Sequence, residues 1–273
     1  MKYRLAAFAD EAAPDLAGQI AAMRENGIEL LEIRGVDGEN IDRISCGKAR
    51  EIRKRLDDAG ISVWSLGSPF GKIGIGENFA PHLDSFKYSL ELAGILGAKH
   101  IRLFSFYGTT EIDPVLERLD RFIEAAAGTD IILCHENEKG IYGDTAAKCA
   151  EIHKALPQLR AVFDPANFIQ CGQDTKQAWE LLSPYVEYMH IKDALPDGSV
   201  VPAGKGAGEL PFLLSQYRGE VLTVEPHLTV FAGFDKLETE QKTKMHYTYP
   251  DSRTAFTAAV NALKGIIGGQ QNG

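Results

Sequence analysis

The sequence predicts a (β/α)8 TIM barrel, in which eight parallel strands close on themselves inside a ring of helices. Three observations lead there. Eight short apolar or alternating runs recur along the 273 residues, and a longer stretch with helical spacing follows each one. No low-complexity linker divides the chain, so residues 1–273 read as a single domain. Barrels of roughly 250 residues form single domains around one continuous core, which suits this length.

The strands are expected at Arg4–Ala9, Leu30–Arg34, Ser62–Leu66, His100–Phe104, Ile131–His135, Arg160–Phe163, Glu187–Ile191 and Val221–Val224. Helical patterns occupy about 15–26, 46–59, 80–96, 112–127, 145–156, 175–183, 209–217 and 251–267. Asp15 and Asp144 are placed to cap helix N-termini, where a side-chain oxygen satisfies a free backbone N–H. Gly27, Gly60 and Gly97 fall just past helix ends, where a left-handed residue closes the last turn. Right-handed crossovers set each strand beside the last, so eight repeats favour a closed barrel over the alternative, an open doubly wound sheet. Residues 229–250 break the rhythm, being too long for a plain βα connection and carrying Phe231, Phe234, Tyr247 and Tyr249. That segment reads as an active-site cover or as a packed surface excursion. The tail Gly268–Gly273 is expected to be disordered.

Composition narrows the function classes. With 44% hydrophobic and 25% charged residues, neither a disordered nor a membrane class is expected. A formal net charge of -9 repels a nucleic-acid backbone. The basic cluster Lys48–Arg55 is interrupted by Glu51 and reads as a solvated helix face, so no nucleic-acid partner is expected. The cysteines at 46, 134, 149 and 171 lack C-x-x-C spacing, which fits reduced thiols in a cytoplasmic protein. Met1–Ala9 lacks a basic region followed by an apolar run, and no 18-residue apolar stretch follows, so neither secretion nor membrane insertion is expected.

In a barrel, chemistry gathers at the carboxyl ends of the strands. The last four predicted strands each deliver a metal-competent group there: Glu136, Asp164, His190 and Glu225. Singly, each has a bland explanation. Asp164 before Pro165 would cap a turn, and Glu225 before Pro226 would accept from nearby backbone amides. Carboxylates are costly to bury without a partner, however, and four adjacent strands would converge them on one point, so a shared cation is the simpler account.

The segments His135-Glu136-Asn137-Glu138, Phe163-Asp164-Pro165-Ala166-Asn167, His190-Ile191-Lys192-Asp193 and Val224-Glu225-Pro226-His227 resemble the xylose isomerase-like barrel superfamily. Within it, the chain is similar to the sugar epimerases and isomerases that include the ketose 3-epimerases. The resemblance implies that Glu136, Asp164, His190 and Glu225 hold one divalent metal ion, and that Glu136 and Glu225 also form the acid/base pair. It implies epimerisation or isomerisation of a sugar or sugar-like polyol ketone, by proton transfer through an enediolate. Three carboxylates and one imidazole favour Mn2+ or Mg2+, with Zn2+ or Co2+ also able to occupy such a site. The resemblance implies a homo-oligomer, a dimer or tetramer. Many relatives place histidine three residues after the strand-six aspartate, whereas this chain has Asn167. That departure puts detailed substrate contacts in doubt and argues against the superfamily's DNA-repair endonucleases, which need extra histidines for several zinc ions. Two rival readings stand beside the epimerase: a dehydratase of keto-inositol type, using the same metal and base, and a noncatalytic sugar-binding barrel.

Further substrate contacts are expected from Glu32, Arg34, Asn167, Lys192, Asp193, Lys205 and His227. Glu32 and Arg34 share one face of strand two, as a substrate-orienting pair or a structural ion pair. Lys192 and Asp193 suit a hydroxyl or carboxylate, or a local ion pair; His227 either points into the site or closes the strand end. Lys205 lies in the glycine-rich Ala203–Glu209, which would cradle an anion or simply turn tightly. Glu138 is a supporting carboxylate, a competing ligand or an exposed loop residue. His135 alternates away from Glu136 and is expected as a core histidine, while Trp64 and Phe104 are expected to pack.

Overall fold

The structure, a computed structural model, describes residues 3–230 and 244–269. Its strands are β1 (Arg4–Ala7), β2 (Leu30–Ile33), β3 (Ser62–Leu66), β4 (His100–Leu103), β5 (Ile132–Glu136), β6 (Arg160–Phe163), β7 (Val186–Ile191) and β8 (Val221–Val224). They form a closed barrel in the order β1-β8-β7-β6-β5-β4-β3-β2, every pair parallel, so the open sheet is excluded. The ring closes where Arg4 registers with Val221 and Ala6 with Leu30.

Nine helices surround the barrel among the described residues: α1 (Leu16–Glu25), α2 (Cys46–Asp58), α3 (Phe79–Leu96), α4 (Asp113–Ala126), α5 (Ala146–Ala155), α6 (Pro165–Gln170), α7 (Thr175–Leu182), α8 (Leu210–Gln216) and α9 (Ser252–Gly269). Asp15 caps α1 by accepting from Gly18 N, and Gly27, Gly60 and Gly97 all have positive φ. Asp144 does not cap α5. Thr145 takes that place, and Asp144 ends a 3-10 turn where its carboxylate meets Lys148 at 2.9 Å. The tail expectation is also corrected at its start, since α9 continues through Gly268 and Gly269; residues 270–273 lie outside the described residues.

Of the long segment 229–250, residues 231–243 lie outside the described residues, Phe231 and Phe234 among them. Its described end joins a hairpin edge, with Val200 N donating to Lys244 O at 2.8 Å, and Tyr249 packs against the core. That hairpin, Asp193–Ala194 with Val200–Val201, and another, Gly35–Val36 with Glu39–Asn40, decorate the carboxyl face of the barrel. Among the described residues no helix is long and apolar enough to cross a membrane, and the four cysteines are free thiols.

The barrel interior positions the site. Ala6, Leu30, Cys134, Val162, Tyr188 and Val221 form one buried cluster, joined by Trp64 and Ile132, and seven strands contribute to it. Side chains two apart on a strand share a face. Stepping up by twos from this plug therefore reaches Glu136 on β5, Asp164 after β6, His190 on β7 and Glu225 after β8. The same step reaches Glu32 and Arg34 on the β2 side. The apolar floor thus sets the direction of every polar group above it. Trp64 belongs to the floor, stacked on His100 with centroids 4.0 Å apart.

Candidate metal centre

Glu136, Asp164, His190 and Glu225 are all buried, and each offers a ligand atom within 4.8 Å of the others. His190 stands at the centre. Its Nδ1 lies 2.9 Å from Glu136 Oε1 and 3.4 Å from Glu225 Oε2, so the two glutamates flank it. Its Nε2 lies 3.1 Å from Glu32 Oε2, and that carboxylate also accepts from Tyr188 Oη at 2.8 Å and Thr223 Oγ1 at 3.0 Å. A histidine whose Nε2–H is anchored on a carboxylate presents the Nδ1 lone pair to a cation, with raised basicity. Burial opposes the imidazolium, but Glu136 and Glu32 override it and raise the His190 pKa well above its ordinary value.

Asp164 unites the two readings that its sequence context left open. Its Oδ1 caps α6 by accepting from Asn167 N at 3.0 Å, while Oδ2 faces the cluster, 2.8 Å from Lys192 Nζ. Asn137 clamps the Asp164 backbone on both sides, donating to its carbonyl and accepting from its amide, each at 2.9 Å. Asn167 donates to Asn137 O at 2.9 Å and reaches Glu136 Oε1 at 3.4 Å. The short α6 thus forms because Asp164 caps it and Pro165 starts it, and it locks two ligands in place.

Three fixed cations brace the carboxylates. Lys192 Nζ also lies 3.2 Å from Glu225 Oε2, Arg102 Nη1 lies 3.2 Å from Glu136 Oε2, and Arg34 Nη1 lies 3.2 Å from Glu225 Oε1. Burial opposes the Glu225 carboxylate, yet Lys192 and the neighbouring histidines hold its pKa well below the usual range. Burial dominates at Asp164, and despite Lys192 its pKa rises to about 7. Among the described residues, the buried oxygens Glu136 Oε2 and Asp164 Oδ2 have only the ion pairs with Arg102 and Lys192 and no aligned hydrogen bond. Three carboxylates and one imidazole that converge in this way, with such oxygens among them, fit a divalent cation.

The remaining expected contacts separate. Glu32 and Arg34 are not paired with each other: Glu32 supports His190 from below, while Arg34 forks onto Asp10 at 2.9 and 3.1 Å and meets Glu11 at 3.1 Å. His227, with a positive φ of 45°, lies 3.3 Å from Glu11 and 3.4 Å from Glu225, so it points into the site. Asp193 turns away. It accepts from the amides of Ala194, Gly204, Gly206 and Gly208 at 2.9, 2.9, 3.0 and 2.9 Å. The glycine-rich loop is therefore filled by the protein's own carboxylate rather than left to cradle an anion, and Lys205 on it is exposed. A Cβ at Gly206 would fall 2.3 Å from Ala194 O, which explains the glycine there. Glu138 is not an exposed loop residue; it meets Lys72 at 3.0 Å, and Lys72 lies 4.3 Å above the Phe104 ring. His135 is a core residue as expected, 3.0 Å from Ser105 Oγ.

Sequence reasoning missed Asp10, Glu11, Arg102 and Tyr188. Arg102 carried a signal, since a guanidinium within an apolar strand has to find an acid. Asp10 and Glu11 carried none, because they follow β1 in a 3-10 turn that only the fold turns inward.

A family model described as "Xylose isomerase-like TIM barrel" matches residues 20–220. The chain belongs to the xylose isomerase-like TIM barrel family. Solved structures similar to this family member include the IolI protein with a bound zinc atom (15% identity, 97% of this chain and 98% of that one, TM-score 0.75). Another is D-psicose 3-epimerase in the presence of D-fructose (18% identity, 96% and 97%, TM-score 0.70). A third is a probable 3-DHS dehydratase from Bacillus anthracis involved in petrobactin synthesis (15% identity, 97% and 99%, TM-score 0.72). No curated protein matches the sequence. At these identities the likeness is one of fold: xylose isomerase-like barrels carry more than one chemistry, and the site has to decide between them.

Proposed function

We propose that this protein is a divalent-metal-dependent epimerase or isomerase of a sugar or polyol ketone, with Glu136 and Glu225 as its acid/base pair. The observation that carries the reading is the placement of two buried glutamates on either side of His190 Nδ1, at 2.9 and 3.4 Å, within one cluster of four ligands. Glu136, Asp164, His190 and Glu225 would hold the ion, which supplies polarisation of the substrate carbonyl. Mn2+ or Mg2+ suits the oxygen-rich donor set, and Zn2+ or Co2+ is accommodated by the imidazole.

The protein's own groups then handle the proton. Glu225, kept ionised by Lys192, is the base that takes the proton from the carbon beside the carbonyl. Glu136, anchored by Arg102, is the acid that delivers a different proton to the opposite face, which inverts the carbon and leaves Glu136 ionised while Glu225 keeps the proton it took. Lys192 and Arg34 stabilise the charge that develops between the two transfers. Asn167 and His227 border the same cluster, Asn167 at 3.4 Å from Glu136 and His227 at 3.4 Å from Glu225. Loss of a β-hydroxyl after the same first step would make the enzyme a dehydratase.

The test is exchange of carbon-bound hydrogen in D2O on a panel of ketoses and inososes, using metal-stripped protein reloaded with Mn2+. Exchange that needs the metal and vanishes in Glu225→Gln supports the reading, and product mass separates epimerisation from loss of water. No exchange with any compound, despite demonstrated metal binding, would replace the enzyme with a sugar-binding barrel.

A further inference from the structure

A cavity of about 510 Å³ opens beside the four ligands, under the hairpin Gly35–Val36 with Glu39–Asn40. Its size is that of small-molecule sites. Glu136 and Glu225 are not among its lining residues; the guanidiniums that pair with them are. Arg34 and Arg102 thus separate the cavity from the metal ligands, and a molecule held there lies against both. The wall is cationic. Among the described residues, Arg34, Arg43, Lys72 and Arg102 line it, against the single acid Glu39, in a protein whose net charge is -9.

The acids that pair with three of these cations sit outside the lining. Glu136, Glu225 and Asp10 lie behind Arg102 and Arg34, and Glu138 lies beside Lys72, leaving the cations as the surface a ligand meets. Two further observations point to a ligand. Arg102 is 4% exposed, and its Nε donates to no partner among the described residues. Phe104 lies between two of the cations, with Lys72 Nζ 4.3 Å and Arg102 Cζ 4.7 Å from its ring centroid. A buried guanidinium N–H without an acceptor is costly, and a bound carboxylate or phosphate oxygen would satisfy it. Arg43, with its side chain 79% exposed at the rim, adds attraction at the entrance.

Building on the epimerase or isomerase reading, we infer that the substrate is an acidic polyhydroxy ketone, whose carboxylate or phosphate occupies the pocket over Phe104 between Lys72, Arg102 and Arg43. The ketone end then lies towards Arg34 and Arg102, the side chains that border both the cavity and the ligand cluster. Neutral ketoses offer the Arg102 Nε–H only a neutral oxygen, a weaker acceptor than a charged one, and bind less tightly.

Calorimetric titration of Mn2+-loaded protein with D-fructose, D-fructose 6-phosphate and 5-keto-D-gluconate tests this. We expect at least one of the two anions to bind about tenfold or more tightly than D-fructose. Which anion wins assigns phosphate or carboxylate. Lys72→Gln and Arg43→Gln should each lower that preference about threefold or more, and added salt should lower it further. Arg43→Gln is at an exposed position and carries the test if Lys72→Gln fails to fold. The inference is overturned if neither anion binds more tightly than D-fructose, absence of binding included, or if both variants weaken all three ligands equally. Deuterium exchange on the same samples keeps the two readings apart: tight anion binding without exchange removes the enzyme and keeps the anion pocket, whereas exchange with D-fructose alone does the reverse.

Discussion

Glu32→Gln probes the support of the proposed metal centre without replacing any of the four proposed ligands. Glu32 Oε2 accepts from His190 Nε2 at 3.1 Å and from Thr223 Oγ1 at 3.0 Å, while Oε1 accepts from Tyr188 Oη at 2.8 Å. A glutamine can keep its carbonyl oxygen towards His190 and Thr223 and turn its amide to Tyr188, whose hydroxyl is free to donate to Ser65 Oγ, 3.2 Å away. Shape and hydrogen bonding survive, and only the negative charge is lost. That charge makes Nδ1 a stronger donor, and loss of such a partner typically costs about 10- to 100-fold in metal affinity, or about 1.4–2.7 kcal/mol. Competitive titration of Mn2+ and Zn2+ against a chelating dye measures it, with unchanged circular dichroism as the folding control. Affinity within about twofold of wild type would refute the view that Glu32 acts through His190.

Other outcomes follow from the same contacts. Removing the metal from purified protein should lower Tm by several degrees, since ligand at about 100 times its Kd contributes about 2.7 kcal/mol; calorimetry that shows no shift on reloading would count against the site. Because Glu136 and Glu32 keep His190 protonated in the metal-free protein, metal binding near pH 7 should release a proton from Nδ1 and part of a second from Asp164, whose pKa is about 7. Titrations in buffers of different ionisation enthalpy would show it, and no buffer dependence would contradict it. Burial lowers His153 to about 4 from 6.5, so the folded state binds fewer protons than the unfolded state between those values. Its contribution is full above about pH 6.5 and is lost as pH falls towards 4, by up to about 3 kcal/mol. Urea denaturation at pH 7 and 5 should therefore show a smaller difference in His153→Asn than in wild type. Asp193→Ala strands the amides of Gly204, Gly206 and Gly208 and should cost about 2–3 kcal/mol. An unchanged Tm would show that the loop does not depend on that carboxylate.

The barrel was legible because its period is written into the chain. Apolar runs of strand length alternate with amphipathic stretches, and the expected strands at Ser62–Leu66, Arg160–Phe163 and Val221–Val224 coincide with those observed. Ends were less legible. Ala9, Arg34 and Phe104 fall outside the observed strands; at Ala9 the backbone turns into the 3-10 segment that carries Asp10 and Glu11 over the site, a tertiary demand that propensity does not register. The convergence of Glu136, Asp164, His190 and Glu225 could be foreseen because barrel closure makes consecutive strands neighbours. The fates of Glu32, Asp193 and Glu138 could not, since each depends on a partner distant in sequence or on a loop's backbone geometry: Tyr188 and His190 for Glu32, the amides of 204–208 for Asp193, and Lys72 for Glu138.

Charge ties the floor, the ligands and the cavity into one design. Asp10, Glu11, Glu32, Glu136, Asp164 and Glu225 are six buried carboxylates, while Arg34, Arg102 and Lys192 are the three buried fixed cations that face them. Such an imbalance is expensive in a low-dielectric interior. Part of the answer is proton uptake, as burial pushes Glu11 up to about 8 and Asp164 up to about 7. Protonated His190 adds a further positive charge, and under the proposed function a divalent ion at Glu136, Asp164, His190 and Glu225 would take the place of those protons and relieve the arginines of part of their duty to those acids. Arg102 and Arg34 line the cavity on their other side, so a cation at the ligands strengthens the pull on an anion in the pocket. Under the same proposal, the guanidiniums that pair with Glu136 and Glu225 are placed to couple metal binding to recognition of an acidic substrate.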